Sequence, residues 1–426
     1  MPVRRLALAA LILLSSTSLG AATEAFDACA AAGASRFEPG FEDIGPVDRV
    51  SFYPYDAIQA CEAALEEDPG NVQVMAWLGH GYAADNQAPK GLLYLEQAAT
   101  AGNMLAQRTL GDLLILGKGV AQDKIRGLDL LHQSANQGFP PARLSLGYSY
   151  DYGDGVPADP AKAMEFYLAA AEAGMVKAQL IAADRYQRGI GVPADDAASF
   201  RWISAAADSG DGEALYRKGV AYLEGRGVEA SASDALAAFQ ASADANNDRG
   251  STALGYMVEL GIDTDVDLQR AADLYSPGRY ANHPLSKYNL ARLEEIGAGI
   301  DANPEDARTL YEEAARAGEM RAAVNLALMM LQGTGGPREI DAAFTWTKRA
   351  ADAGNPAGLN NLGRLYELGL GVEPDLDEAR RLYGEAAALG YGLASDNLSR
   401  LDGGAAGAAP RKSSPASEAS SHGGSR

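Results

Sequence analysis

Residues 146–156 read Leu-Gly-Tyr-Ser-Tyr-Asp-Tyr-Gly-Asp-Gly-Val, followed by Asp159-Pro160, Lys162-Ala163, Phe166-Tyr167 and Ala169-Ala170-Ala171. Small and aromatic residues at helical spacing give way to a pair of glycines. An aspartate and a proline then restart the chain, which runs into alanines. That order is helix, turn, helix. It returns every 36 residues from about Asn103 to Gly390 without a slip, and self-similarity at such a period marks an array of stacked units.

Working outward, each unit closes on one column: Gly102, Gly138, Gly174, Gly210, Asn246, Asn282, Gly318, Gly354 and Gly390. Only Gly and Asn occur there, the two residues that tolerate the left-handed conformation ending a helix. The start of that helix, helix B, is read at Asp123, Asp159, Asp195, Ser231, Asp267, Asn303, Glu339 and Asp375. All but the glutamate can cap free backbone N–H groups, and Pro160 and Pro304 follow where a fixed φ suits the first turn. Helix B is expected to span about 14 residues between these columns.

Helix A carries Gly111, Gly147, Ala183, Gly219, Gly255, Ala291, Ala327 and Gly363, and helix B carries Gly127, Ala163, Ser199, Ala235, Ala271, Ala307, Ala343 and Ala379. Facing small columns are what a close helix crossing requires. The Gly-x-Gly-Val segments at 117–120, 153–156, 189–192, 225–228 and 369–372 recur in phase and follow a helix rather than a strand. They also lack the third glycine or the Gly-Lys-Ser/Thr of a phosphate cradle, so they read as interhelical turns.

The pattern of residues 146–171 resembles the Sel-1-like repeat family, relatives of the tetratricopeptide repeat, and the match covers roughly two thirds of the chain. The resemblance implies an all-α fold, a right-handed α-solenoid of stacked helical hairpins, with eight repeats over residues 103–390. It also implies a scaffold role without naming a partner.

Before the array, residues 56–65 and Asp68-Pro69-Gly70-Asn71 look like the second helix of a tetratricopeptide unit, and a shorter hairpin occupies residues 71–102. Cys29 and Cys61 are the two cysteines of the chain. In an oxidising compartment they are expected to pair, with reactive or metal-binding thiols as the lesser alternative. Similar segments precede exported Sel-1-like arrays, so residues 23–70 are read as a disulfide-tied amino-terminal cap covering an end that would otherwise expose a hydrophobic face. Residues 391–402 read as a carboxy-terminal capping helix. Residues 403–426, rich in Gly, Ala, Ser and Pro, cannot bury a core and read as a disordered tail.

Arg4 and Arg5, the apolar run Leu6 to Leu14 and the small residues Gly20-Ala21-Ala22 make residues 1–22 a cleavable export signal. The run is too short to span a bilayer, so no stable membrane insertion is expected and the mature chain is placed in the periplasm or outside the cell. Removing the signal leaves 34 basic against 57 acidic side chains, a formal charge of −23. Nucleic acid is a poor partner for such a surface.

No chemistry is legible. His80, His132, His283 and His422 are scattered, with no pair on one helical face, so no metal site is expected. Asp263, Asp265 and Asp267 open like a calcium loop, but Leu268 and Leu274 occupy the glycine and glutamate positions. Ser395-Asp396-Asn397 matches one triplet of serine β-lactamases, yet the chain has no Ser-x-x-Lys, Lys-Thr-Gly or Gly-x-Ser-x-Gly. A non-enzymatic protein with no cofactor is expected. The fifth unit departs from the pattern at Ser276-Pro277-Gly278-Arg279-Tyr280, where proline must end or kink helix B near Tyr275. A degenerate repeat and a purposeful bend are both open readings.

What remains is surface. Tyr150, Tyr186, Tyr222 and Tyr366 form one helix A column, with Tyr148 and Tyr256 two positions earlier, and acids such as Asp112, Asp184, Glu259, Glu295 and Glu367 nearby. Aromatics at this spacing either pack between repeats or grip a partner. The expected function is a periplasmic or secreted adaptor, a monomer that binds another protein through the solenoid's concave surface. The alternative is a protein that binds cell-wall glycan or peptidoglycan fragments by stacking tyrosines on sugars.

Overall fold

The computed structural model describes residues 24–43 and 52–403; residues 1–22, read as an export signal, and all but the first residue of 403–426, read as a tail, lie outside them. Every regular element among the described residues is helical, and none is long and apolar enough to cross a membrane. The chain divides into two compact units, one up to Ser231 and one from Ala232 onward.

In the first unit, helices Glu24–Gly33 and Pro54–Glu67 precede hairpins built from Val72–Ala84 with Ala88–Thr100, Met104–Leu116 with Lys124–Asn136, Pro140–Tyr152 with Pro160–Glu172, and Val176–Arg188 with Asp196–Ala207; helix Gly212–Glu224 completes it. Cys29 and Cys61 are joined by a disulfide, and both are fully buried. Beside them Trp77 is fully buried, with the rings of Phe26 and Phe41 at 5.5 and 4.9 Å. The buried Glu38 ties the loop after the first helix to this core, accepting from Trp77 Nε1 at 3.1 Å, Gln73 Nε2 at 2.7 Å and the Ser35 amide at 2.7 Å. Burial pushes the Glu38 carboxyl above its ordinary range despite these donors.

The second unit contains helix Ala232–Asp244 and hairpins from Asp248–Leu260 with Leu268–Tyr275, Pro284–Ile296 with Pro304–Arg316, Met320–Gln332 with Ile340–Asp352, and Pro356–Leu368 with Leu376–Ala388, ending in Gly392–Asp402. The facing small columns hold in both units. A Cβ on Gly111 would lie 2.9 Å from the Gly127 carbonyl oxygen, and one on Gly127 would lie 2.8 Å from that of Gly111. Ala163, Ala235, Ala271, Ala307, Ala343 and Ala379 are all fully buried.

The caps follow the sequence closely. Asp123, Asp159, Asp195, Asp267, Asn303 and Asp375 each accept from backbone N–H groups of the first turn, whereas Glu339 makes no such bond and pairs with Arg308 instead. Helix B runs 13 residues in most repeats, one short of expectation. In the closing column the seven glycines and Asn246 have φ between 57° and 102°. Asn282 is not among the positive-φ residues. Helix B of its repeat has already ended at Tyr275, and a 3₁₀ turn at Ser276–Arg279 replaces the last turn, so no left-handed closure is needed.

The interhelical turns need their second glycine for a steric reason. A Cβ on Gly227, where φ is +71°, would lie 2.0 Å from the Asp196 carbonyl oxygen of the preceding helix B. The turn thus abuts the start of the neighbouring repeat.

Candidate functional site

The tyrosines named from the sequence divide into two groups. Tyr150 is 8% exposed and stacks on Phe166 at 5.5 Å with the Lys162 ammonium 4.3 Å from its ring centre. Tyr222 meets Phe200 edge-on at 5.3 Å, and Tyr366 meets Phe344 at 5.9 Å; each phenylalanine lies in helix B of the preceding repeat. Tyr186 is half-buried. This column is packing surface. The other column is more open: Tyr148 is half-buried, edge-on to Tyr167 at 5.6 Å and 6.4 Å from the exposed Tyr152 with near-parallel rings, and Tyr256 is 46% exposed. Further along the A helices of the second unit, Ile296, Leu328 and Leu368 are also exposed.

Beneath this open face lies an arrangement that the sequence reading missed. Tyr167, Tyr275, Tyr311 and Tyr383, all in helix B and all fully buried, donate their hydroxyls to Asp151, Glu259, Glu295 and Glu367 of helix A, 16 residues earlier, at 2.7 to 2.9 Å. The spacing closes a hairpin crossing. Where the tyrosine column holds Leu131, Ile203, Phe239 or Thr347 instead, the acid column holds Ile115, Gln187, Leu223 or Leu331. Phenol and carboxylate therefore appear and disappear together, because either alone would leave a buried polar group unpaired. These acids are not solvated faces, as their type and spacing suggest, but acceptors for buried phenols.

Three of the four pairs gain a third member from the A helix that follows. Arg185 pairs with Asp151, Arg292 with Glu259, and Arg400 bidentately with Glu367 at 2.6 Å on both oxygens. Burial raises the phenol pKa of Tyr167, Tyr275 and Tyr383, with the neighbouring carboxylate adding to it; neutral tyrosine is held as donor. Arg400 first, and then Tyr383, draw the Glu367 carboxyl below its usual range. Glu295 has no arginine. Its pKa is raised by burial and opposed only by the Tyr311 hydroxyl.

Tyr311→Phe removes the single donor to Glu295 and is expected to cost about 1.5 to 3 kcal/mol in urea denaturation. Tyr383→Phe should cost less, since Arg400 still holds Glu367. Equal losses would show that the arginine adds nothing.

The irregular fifth unit is also rebuilt as a set. Gly278 is required there, because a Cβ would sit 2.0 Å from that of Ser286. Arg279, where other repeats carry alanine, pairs with the buried Glu294 and with Asp306. Nearby, His283 caps helix Pro284–Ile296: its Nδ1 accepts from the Ser286 amide at 3.3 Å and lies 3.0 Å from Ser286 Oγ and 3.3 Å from Thr252 Oγ1. Thr252 gives its own proton to the Asp248 carbonyl, so this network assigns the imidazole proton to Nε2. A proton on Nδ1 would oppose the capped amide and place a cation at a helix N-terminus.

Burial lowers the His283 pKa below 6.5, with Arg249 adding to the effect and Asp248 opposing it. A depressed pKa contributes stability that is present above the unfolded value and lost as pH falls through the folded one. Stability should therefore decline below about pH 6.5. His132, lowered by burial and then by Lys162, acts in the same direction. His283→Asn keeps a capping oxygen, as Asn247 and Asn355 do in equivalent positions, and should flatten part of this decline in denaturation curves; an unchanged slope would rule out the His283 contribution.

Among the described residues no three His, Cys, Asp or Glu side chains gather to hold a metal. Ser395-Asp396-Asn397 lies in the last helix, where Asn397 donates to Asn360 at 2.9 Å. Near the first of the buried tyrosines an open cleft of about 530 Å³ is lined by His132, Asn136, Arg143, Glu165, Phe166 and Glu172.

Stacked helical hairpins, a small-residue crossing and an open A-helix face define an α-hairpin repeat scaffold. The Sel1 repeat pattern matches nine segments, at residues 75–103, 105–139, 140–175, 176–211, 212–247, 250–283, 284–319, 321–355 and 356–391, and the chain belongs to that family. The first segment is the short hairpin that the 36-residue register leaves outside its eight repeats. It shares their crossing, since a Cβ on Gly91 would lie 2.9 Å from the Gly79 carbonyl oxygen.

Among solved structures, c5321, a protective antigen of uropathogenic Escherichia coli with this repeat fold, is 27% identical over 83% of this chain and 84% of its own, with a TM-score of 0.54. A Sel1 repeat protein from Oxalobacter formigenes is 26% identical over 73% of this chain and 90% of its own, with a TM-score of 0.57. No curated protein matches the chain. Sel1 repeat proteins generally act as protein-binding scaffolds.

Proposed function

We propose that this chain is an exported, non-enzymatic adaptor that holds another protein on the open face of its A helices, in the periplasm or outside the cell. One observation carries the reading. Within each unit the B helices bury or half-bury their aromatic residues, while the A helices leave an aromatic and apolar row open, Tyr152 beside the half-buried Tyr148 in the first unit and Tyr256, Ile296, Leu328 and Leu368 in the second. Such exposed anchors beside fixed charges suit protein recognition. The disulfide and the signal-like first residues support export.

A photo-crosslinking residue placed at Tyr148 or Tyr256, and for comparison at the exposed Gln269 of a B helix, tests this in the cell envelope after circular dichroism has verified folding. A partner protein captured from the A-helix positions alone is the expected result. The parallel Tyr148 and Tyr152 rings also suit a sugar face, and calorimetric heat with muropeptides would favour glycan binding instead.

A further inference from the structure

The polar network beneath the open face is interrupted at one repeat of the second unit, and the interruption leaves one carboxylate without an inter-repeat arginine and one arginine without an inter-repeat carboxylate. In the acid column that repeat holds Leu331, and in the arginine column it holds Leu328, where neighbouring repeats hold Arg292, Arg364 and Arg400. Glu295 therefore faces a leucine where Glu259 and Glu367 each meet an arginine. Arg364, in turn, has no carboxylate in the preceding repeat and is exposed; it acts only through space on Glu367 of its own helix, whose two oxygens Arg400 already holds. Among the described residues no cation pairs with Glu295, and none of the ion pairs includes Arg364. Between them Leu328 is 40% exposed, and Ile296, beside Glu295, is 50% exposed.

The sister repeats show which chemistry completes a phenol-bound carboxylate here: a guanidinium arriving from the side of the next repeat. We propose that the face at Glu295, Leu328 and Arg364 takes a partner polypeptide that places an arginine or lysine on Glu295 and an acidic side chain on Arg364, with an apolar residue over Leu328. The partner's basic side chain substitutes for the arginine that the chain omits. Tyr311, which donates to Glu295 at 2.9 Å and accepts from Asn325 at 3.0 Å, fixes the carboxylate in advance, so little ordering is required on binding. The half-buried position strengthens the pairing over a fully solvated one. Glu295 and Arg364 stand two repeats apart; at roughly 10 Å per packed helix layer and about 3.3 Å per extended residue, the two partner charges would be about six residues apart. This inference rests on the adaptor reading.

The test uses the full chain and fluorescently labelled, end-blocked peptides carrying one arginine and one aspartate separated by about four to eight residues, followed by anisotropy. Binding should be strongest near the middle spacing and should weaken by about tenfold or more when citrulline replaces the arginine, the scale of a charge-assisted pair. Leu328→Arg supplies the missing guanidinium from within. It should abolish the preference for arginine over citrulline while leaving the melting temperature unchanged or higher. Glu295→Gln should abolish the same preference by a separate route, and Arg364→Leu should abolish the preference for aspartate over asparagine. Equal binding of the arginine and citrulline peptides, a preference that survives Leu328→Arg, or no binding at any spacing would overturn the proposal. A partner captured by the crosslinker at Tyr256 in the unsubstituted protein, together with any of those peptide results, would uphold the adaptor while overturning this site. Loss of capture at all A-helix positions in the unsubstituted protein would instead overturn the adaptor reading.

Discussion

Gly147→Leu should lower the melting temperature sharply and unfold the third hairpin of the first unit first. A Cβ at Gly147 already lies 2.4 Å from Cε1 and 2.6 Å from Cδ1 of Tyr167, and that ring is fully buried. It cannot swing aside cheaply, because its hydroxyl donates to Asp151 at 2.7 Å while the Arg185 guanidinium sits 4.8 Å over its face. Overpacking of this kind costs about 1 to 3 kcal/mol, and breaking a hydrogen bond to a charged group adds about 1.5 to 3 kcal/mol. Differential scanning calorimetry with hydrogen exchange over Pro140–Glu172 would measure both the loss and its location. Gly147→Ala should fall between, and an unchanged melting temperature for the leucine variant would refute the packing of Tyr167 against this glycine.

The second large effect belongs to the cap. Replacing Cys29 and Cys61 together by alanine opens a loop with a sequence separation of 32 residues, worth about 3 to 4 kcal/mol on the chain-entropy estimate. The loss should be local, since in a repeat array each element leans mainly on its neighbours. Trp77 packs beside Cys61's helix with Phe26 and Phe41 around it, so its fluorescence should shift toward that of solvated indole at lower urea than far-UV circular dichroism reports for the rest. With Trp202 and Trp346 changed to phenylalanine, that signal is assigned to Trp77 alone. Coincident transitions would show that the cap does not unfold separately.

Much of this architecture was legible because a repeat states the same backbone requirement many times. A single Gly138 is ambiguous; nine in-phase Gly or Asn residues identify a helix end, and the one that closes differently, Asn282, follows the one helix broken by proline. Pairing of Cys29 with Cys61 was also legible, from compartment and count. The buried polar network was not, although its signal was present. Each acid, read alone, looks like an ordinary surface residue, and only comparison with the residue 16 positions later shows that Glu259, Glu295 and Glu367 accompany Tyr275, Tyr311 and Tyr383. Periodicity reveals what every repeat shares, whereas this network lives in what only some repeats share. The surface tyrosines illustrate the same limit: Tyr148 and Tyr150 differ by two positions in sequence, yet Tyr150 is buried against Phe166 of its own hairpin whereas Tyr148 is half-buried, edge-on to Tyr167.

The tyrosine, its carboxylate and the arginine that completes them do not belong to one 36-residue module. The phenol and the acid come from one hairpin and the cation from the next, so the heritable building block is longer than the repeat that sequence periodicity displays. Losing residues 284–319 would strand Glu259 opposite Leu328. Losing residues 320–355 would instead bring Arg364 into the register of Glu295 and leave no charge unmatched. Duplication and deletion, whether by recombination or in the laboratory, are thus unequal along this chain, and the repeat that can be excised most cleanly is the one whose leucines hold the two charges apart.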